Sequence, residues 1–247
     1  MTTKEISVNG GDFQNIRIFS LILGIYVAFL SVTIAILGYN GSFIFLNSNS
    51  YSWLDWPMFI ITHLGDSLIL SSIISLILIK QRPDTVLNVI IAVAITGILG
   101  QILKQTYFDD WDRPLKVFGE AGAIHSLPNY RLFHNTFPSG HSITVTSAFT
   151  ILILDTRPKK LLQAFFAVIV IIVTYSRIYL SAHFPADVLA GVLIGLFVSW
   201  LIFRIVCPYT RRLKYNNAFK ISITSIAILS LIAGIWLLKV YFLPVFD

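Results

Sequence analysis

Three short polar clusters in this chain hold the residue types needed to grip a phosphate and attack its phosphorus. They are Lys104 with Arg113-Pro114, then Pro138-Ser139-Gly140-His141, then Ser176-Arg177 followed by His183 and Asp187. An arginine offers phosphate oxygens a planar fork, and a lysine offers a mobile point charge. Asp187 lies four residues after His183 and can reach back to one ring nitrogen. A carboxylate there fixes the tautomer and steadies the imidazolium, leaving the other nitrogen free to attack. Pro185 suits the first turn of the helix that follows. In the second cluster a helix opens at Ser139-Gly140, and its free N–H groups and dipole favour an anion. Gly140 lets the backbone approach closely, and the Ser139 hydroxyl adds a donor. His141 can protonate a leaving oxygen as general acid. Each cluster taken singly has a plain structural explanation: a capping Asp beside an interfacial His, a Pro-Ser-Gly turn, a lysine reaching for the membrane surface. The three together predict phosphoryl transfer, with His183 as nucleophile and His141 as acid and base.

The elements that must position these clusters are membrane helices. Of 247 residues, 56% are hydrophobic and 12% charged, with mean hydropathy +0.79. A soluble domain carries roughly 25% charged residues. About 20 apolar residues span a bilayer. Seven segments approach that length, at roughly 17–39, 56–79, 86–105, 138–155, 161–180, 185–206 and 219–241. The expected fold is all-α, a polytopic transmembrane bundle forming one integral membrane domain over 1–247. Residues 17–39 read as a retained helix, since no basic region precedes them and no small-residue cleavage site follows.

The formal net charge of +6 encodes topology. With the N-terminus inside, twelve of the eighteen Lys and Arg residues fall in inner loops or at inner helix ends. That bias supports this orientation. It also puts all three clusters at the outer side, where spans three to six bring their ends together. The long outer connection, 106–137, carries Trp111, Phe118, Tyr130 and Phe133 and is expected to lie along the surface. His63 and Asp66 are expected to share a face of the second span. Glu120, His125, Arg131 and His134 are candidates for headgroup contact or for plain surface exposure. No basic stripe supports a nucleic-acid role. No His, Cys and carboxylate set has metal-ligand spacing, so neither a metal nor another cofactor is expected, and the fixed cations take that part. Asp109, Asp110 and Asp112 read as a solvated acidic turn. Cys207 reads as an inert apolar side chain.

These residues resemble the signature of the type 2 phosphatidic acid phosphatase superfamily, which also contains the vanadium haloperoxidases. The Pro-Ser-Gly-His and the Ser-Arg, His and Asp parts match in full. The resemblance covers about 56–206. Eight residues separate Lys104 from Arg113, two more than is usual in the family, so Lys104 and Lys116 are both candidates for the lysine position. The seventh segment lies beyond the six-helix core that the membrane members share. The resemblance implies a metal-independent phosphatase acting on a lipid phosphate in the bilayer through a phosphohistidine. It makes His183 the nucleophile, Asp187 its orienting partner and His141 the acid and base. Lys104, Arg113, Ser139, Gly140 and Arg177 become phosphate ligands. Substrates of bacterial relatives include phosphatidic acid, phosphatidylglycerol phosphate, undecaprenyl pyrophosphate and lipid A phosphates, and the motifs read only the phosphate. The expected location is a bacterial inner membrane with the site facing outward. Two rivals use the same scaffold: a phosphotransferase with a lipid acceptor, and a non-catalytic lipid-binding or transport protein. The sequence leaves the oligomeric state open.

Overall fold

The computed structural model describes residues 16–119, 124–127 and 130–241. Every regular element among them is helical: α1 Arg17–Asn47, α2 Ser52–Thr62, α3 Ser67–Leu78, α4 Pro83–Thr106, α5 Pro114–Phe118, α6 Gly140–Thr156, α7 Lys160–Tyr179, α8 Pro185–Ile205, α9 Cys207–Thr210 and α10 Asn217–Tyr241. Proline opens α4, α5 and α8, where its missing N–H costs nothing. Helices α1, α4, α7, α8 and α10 are each long and apolar enough to cross a membrane.

Helix α6 is the axis of the bundle. Its 17 residues are buried almost throughout, and α4, α7 and α8 pack around it. Contact with α8 is at backbone range. A Cβ at Gly191 would meet the Ser139 carbonyl oxygen at 2.7 Å, and one at Gly195 would meet Thr146 Cβ at 2.8 Å. Small residues four apart on a helix allow this approach between membrane helices, where dispersion replaces the hydrophobic drive. The packing fixes the start of α6, which carries His141, against the start of α8, which carries Asp187.

Two segments depart from the sequence expectation. The apolar run 56–79 is a broken pair, α2 and α3, bent by 73° rather than one straight span. A single 3₁₀ turn, His63–Gly65, separates the halves, and Asp66 caps α3 by accepting the N–H groups of Leu68 and Ile69 at 2.9 and 3.2 Å. His63 and Asp66 therefore do not share a helical face. The break sits where Gly65 abuts His141, since a Cβ there would lie 2.7 Å from His141 Cβ. Helix α1 also runs past residue 39 to Asn47, kinked at Gly38, whose φ of 71° glycine alone adopts without steric cost. The Asn47 amide then donates to the carbonyls of His125, Ile178 and Tyr179 and accepts the His125 N–H, tying loop and α7 together.

At the opposite end of the bundle the fully buried Asp155 carboxylate is bonded by Thr85, Asn88 and Arg211, with Arg82 at 3.6 Å. This network holds the ends of α4, α6 and α9 together. Helix α10 packs on α3, where Gly234 leaves room for Ile69.

Candidate active site

The three polar clusters meet at one end of the bundle. His183 lies in the turn between α7 and α8, with only 2% of its surface exposed. Its Nδ1 is 3.5 Å from Asp187 Oδ2, one helical turn on. The Asp187 carboxylate is fully buried and its oxygens are occupied: Thr136 donates to Oδ2 at 2.5 Å, the Phe184 N–H donates to Oδ2 at 2.9 Å, and the Tyr39 hydroxyl donates to Oδ1 at 2.9 Å. Thr136 Oγ1 is also 3.4 Å from His183 Nδ1. The carboxylate is held on three sides and presents its edge to the imidazole. With Nδ1 directed at Asp187, Nε2 is the nitrogen left for chemistry. Burial, followed by the charges of Arg113, Lys104 and Arg177, holds the His183 imidazole well below its ordinary pKa, so it is neutral and nucleophilic at neutral pH.

Arg113, in the loop before α5, is fixed by backbone carbonyls alone. Its Nε donates to His134 at 2.6 Å, Nη1 to Ala182 at 3.0 Å and Nη2 to Asn135 at 3.3 Å. Lys104, at the last turn of α4, donates to the same Asn135 carbonyl at 3.0 Å. Asn135 adopts φ of 57°, a left-handed conformation that Asn tolerates better than most residues. Arg177, at the end of α7, is 2% exposed. Its Nη1 donates to Thr62 at 2.7 Å and to Tyr130 at 2.9 Å, while its Nε is buried with no hydrogen-bond partner among the described residues. Burial and the neighbouring Arg177 pull the Arg113 guanidinium down to about 10, which leaves it charged at neutral pH. Among the described residues no carboxylate pairs with Lys104, Arg113 or Arg177 within 4.0 Å. Three buried or half-buried cations with no paired carboxylate among the described residues are suited to a multiply charged anion.

The structure separates the two candidate lysines. Lys116 is turned away to Asp112 at 2.9 Å and His134 at 3.3 Å on the exposed loop, whereas Lys104 stands with the arginines. The longer spacing is absorbed by residues 107–112 after the end of α4. Ser139 is buried and serves as the cap of α6, its oxygen accepting from Ser142 N–H at 3.4 Å and Ser142 Oγ at 2.9 Å. Gly140 and His141 follow at the mouth of a cavity that Lys104 also lines.

Of the candidates for headgroup contact, His125 is tied to Asp55 at 2.9 Å and His134 to Asp112 at 3.1 Å. Arg131 is exposed, and Glu120 lies outside the described residues. The acidic turn 109–112 has Asp112 paired with Lys116, and the described residues hold no group of three or more His, Cys, Asp or Glu arranged for a metal ion. Tyr39, Thr136, Asn135 and Thr62 all support the site but do not stand out in the sequence, and Tyr130, expected along the surface, is instead buried against Arg177. Thr136 had one signal, its place two residues ahead of Pro138. Asn135 is its neighbour, whereas Tyr39 and Thr62 come from elements far away in the chain.

The PAP2 superfamily model matches residues 85–212. An undecaprenyl-diphosphatase of Sulfolobus acidocaldarius is 29% identical, over 73% of this chain and 84% of that protein. A glucose-6-phosphatase catalytic subunit 1 of Haplochromis nubilus is 28% identical, over 60% of this chain and 48% of its own length. The crystal structure of Aquifex aeolicus LpxE superposes with a TM-score of 0.58 at 25% identity, over 66% of this chain and 92% of that one.

Proposed function

The chain belongs to the PAP2 superfamily, and from that premise we propose that it is a membrane phosphatase that removes phosphate from a lipid phosphomonoester or diphosphate. The observation that carries the reading is the neutral His183 backed by Asp187 beside three cations that no carboxylate neutralises. Lys104, Arg113 and Arg177 take the phosphoryl oxygens, the unpartnered Arg177 Nε among the donors, with the Gly140 amide and Ser139 hydroxyl at the start of α6. His183 Nε2 attacks phosphorus in line. The bond from phosphorus to the leaving oxygen breaks, and His141 delivers a proton to that oxygen. A phosphohistidine results. Water then attacks phosphorus, His141 takes its proton, and the P–N bond breaks to release inorganic phosphate and restore His183. Positioning and electrostatic stabilisation supply most of the catalysis of such a transfer.

The substrate reading is undecaprenyl diphosphate or a lipid phosphate like it. The relative named for that substrate matches along most of both chains. A cavity beside Lys104, Gly140 and His141 has a mainly apolar surface, which suits a lipid better than a sugar phosphate. The Lys and Arg bias supports a site on the outer face of the membrane.

The test is phosphate release by purified protein in excess chelator. The panel is undecaprenyl diphosphate, phosphatidic acid, phosphatidylglycerol phosphate, a lipid A phosphate and glucose 6-phosphate, with His183→Ala in parallel. Release from one lipid, abolished in His183→Ala, is the expected result. Equal release by wild type and His183→Ala would overturn the assignment of the nucleophile.

A further inference from the structure

A cavity of about 690 Å³ leads away from the site into the membrane-spanning part of the bundle. That volume is within the range of small-molecule binding sites. Its mouth is formed by Lys104, Gly140 and His141. Along α4 its lining runs from Ile90 to Gln105, about 22 Å of helix at 1.5 Å per residue. Its far wall is α10, through Ile223, Ile226, Ala227 and Ser230. Helix α10 lies beyond the segment that matches the family, which ends at residue 212. It packs on α3 and makes no comparable packing with α4, so the groove opens sideways between α4 and α10. The exposed side chains of Ile98, Ile102 and Ile226 edge that opening.

Gly97, on α4, lines the middle of the groove, and a Cβ built there meets nothing within 4 Å. Three residues on, a Cβ at Gly100 would strike Ile143 at 2.8 Å. Gly100 thus serves the packing of α4 on α6, whereas the space at Gly97 is left empty by this protein's own atoms.

We propose that this groove holds a single long hydrocarbon chain of the substrate, which enters from the bilayer between α4 and α10, with α10 as the wall that this chain adds to the family core. The inference rests on the lipid phosphatase reading. Its occupant follows from continuity: the groove surface is mainly apolar, interrupted by Ser71, Ser72 and Ser75 of α3, and it reaches Lys104 and His141 at the phosphate end. A lipid lying in it keeps its tail at membrane depth and delivers its phosphate to His183 without leaving the bilayer.

The test compares undecaprenyl diphosphate with isopentenyl diphosphate, which carries the same diphosphate on a stub of chain, in wild type, Gly97→Phe and Gly24→Phe. Gly24 is an exposed α1 position with equally open space around it, remote from the groove. Gly97→Phe is expected to lower kcat/KM for undecaprenyl diphosphate about tenfold or more, because contacts remote from the reacting atoms feed the chemical step. Isopentenyl diphosphate hydrolysis should stay as in wild type, and Gly24→Phe should behave as wild type on both. An unchanged rate on undecaprenyl diphosphate, or an equal loss on both substrates, would overturn the proposal.

A second readout needs no turnover. His183→Ala protein is irradiated with a long-chain alkyl phosphate bearing a diazirine at its tail end. Labels on α4 and α10, removed by adding Gly97→Phe, support the groove. Labels elsewhere, or equal labelling by a phosphatidylcholine carrying the same diazirine, overturn it. If wild type hydrolyses neither diphosphate, the function reading fails, while the cross-link still decides the groove.

Discussion

Tyr39 and Asp187, 148 residues apart, are joined by a 2.9 Å hydrogen bond from the phenol to the carboxylate Oδ1. The bond exists because Gly38 kinks α1 immediately before Tyr39 and because the tyrosine ring stacks on Phe184, with centroids 4.2 Å apart. It fixes from the far side the carboxylate that orients His183. A neutral donor to a charged acceptor contributes about 1.5–3 kcal/mol. Tyr39→Phe should therefore lower kcat about tenfold or more on the scale of 1.4 kcal/mol per decade, with little change in KM. Thr136→Val should act in the same direction. Steady-state kinetics on whichever substrate is hydrolysed will check both, and a change confined to KM would contradict a positioning role.

The pH profile should show an unusual acid limb. Burial and the cations Arg113, Lys104 and Arg177 hold the His183 pKa well below 6.5. The neutral, attacking form therefore persists as pH falls through 6.5, and kcat/KM should decline only at lower pH. Arg113→Gln removes one of those charges, so protonation of His183 becomes easier and the limb should move to higher pH. A limb at or above 6.5 in the wild type would contradict the neutral nucleophile.

The two lysines should separate cleanly. Lys104→Met removes a cation from the phosphate site, and a charge-assisted contact of about 1.5–3 kcal/mol corresponds to roughly ten- to hundredfold in kcat/KM. Lys116→Met breaks only exposed contacts with Asp112 and His134 and should leave turnover near wild type. The reverse ranking would mean that Lys116 occupies the phosphate site during catalysis.

Vanadate should inhibit competitively, because it adopts the five-coordinate shape of the transferring phosphoryl group, and activity should survive excess chelator. His141→Ala should cost about 10²–10⁴-fold, the usual contribution of a positioned acid or base. Complete loss in chelator that metal restores would point to different chemistry.

Asp155, at the other end of the bundle, should govern stability instead of rate. Asp155→Ala strips Thr85 and Asn88 of a buried acceptor and leaves Arg82 and Arg211 without their shared partner. A fully buried pair loses about 3–5 kcal/mol when one member is removed, and the loss here should be roughly 2–3 because both arginines keep about a third of their side chains exposed. Thermal unfolding in detergent should show it, with kcat of the folded fraction unchanged.

The sequence by itself determined the membrane bundle, because the solvent of each helix is written in its composition. It also determined a local pairing: Asp187 sits in the first turn of α8, which Pro185 opens directly after the turn that holds His183, so the two side chains meet. Ser139 caps α6 for a similarly local reason. What only the tertiary structure decided depends on elements distant in the chain. That Lys104, and not Lys116, stands beside Arg113 turned on how residues 107–112 fold back to place the Asn135 carbonyl between Lys104 and Arg113. The break at His63–Gly65 follows from the need of Gly65 to sit against His141, a contact that hydropathy does not encode. Tyr39, Thr62 and Tyr130 reach the site through packing across 148, 115 and 47 residues. The groove walled by α10 likewise exists only once α10 has packed on α3, since no single helix carries the shape of the space between helices.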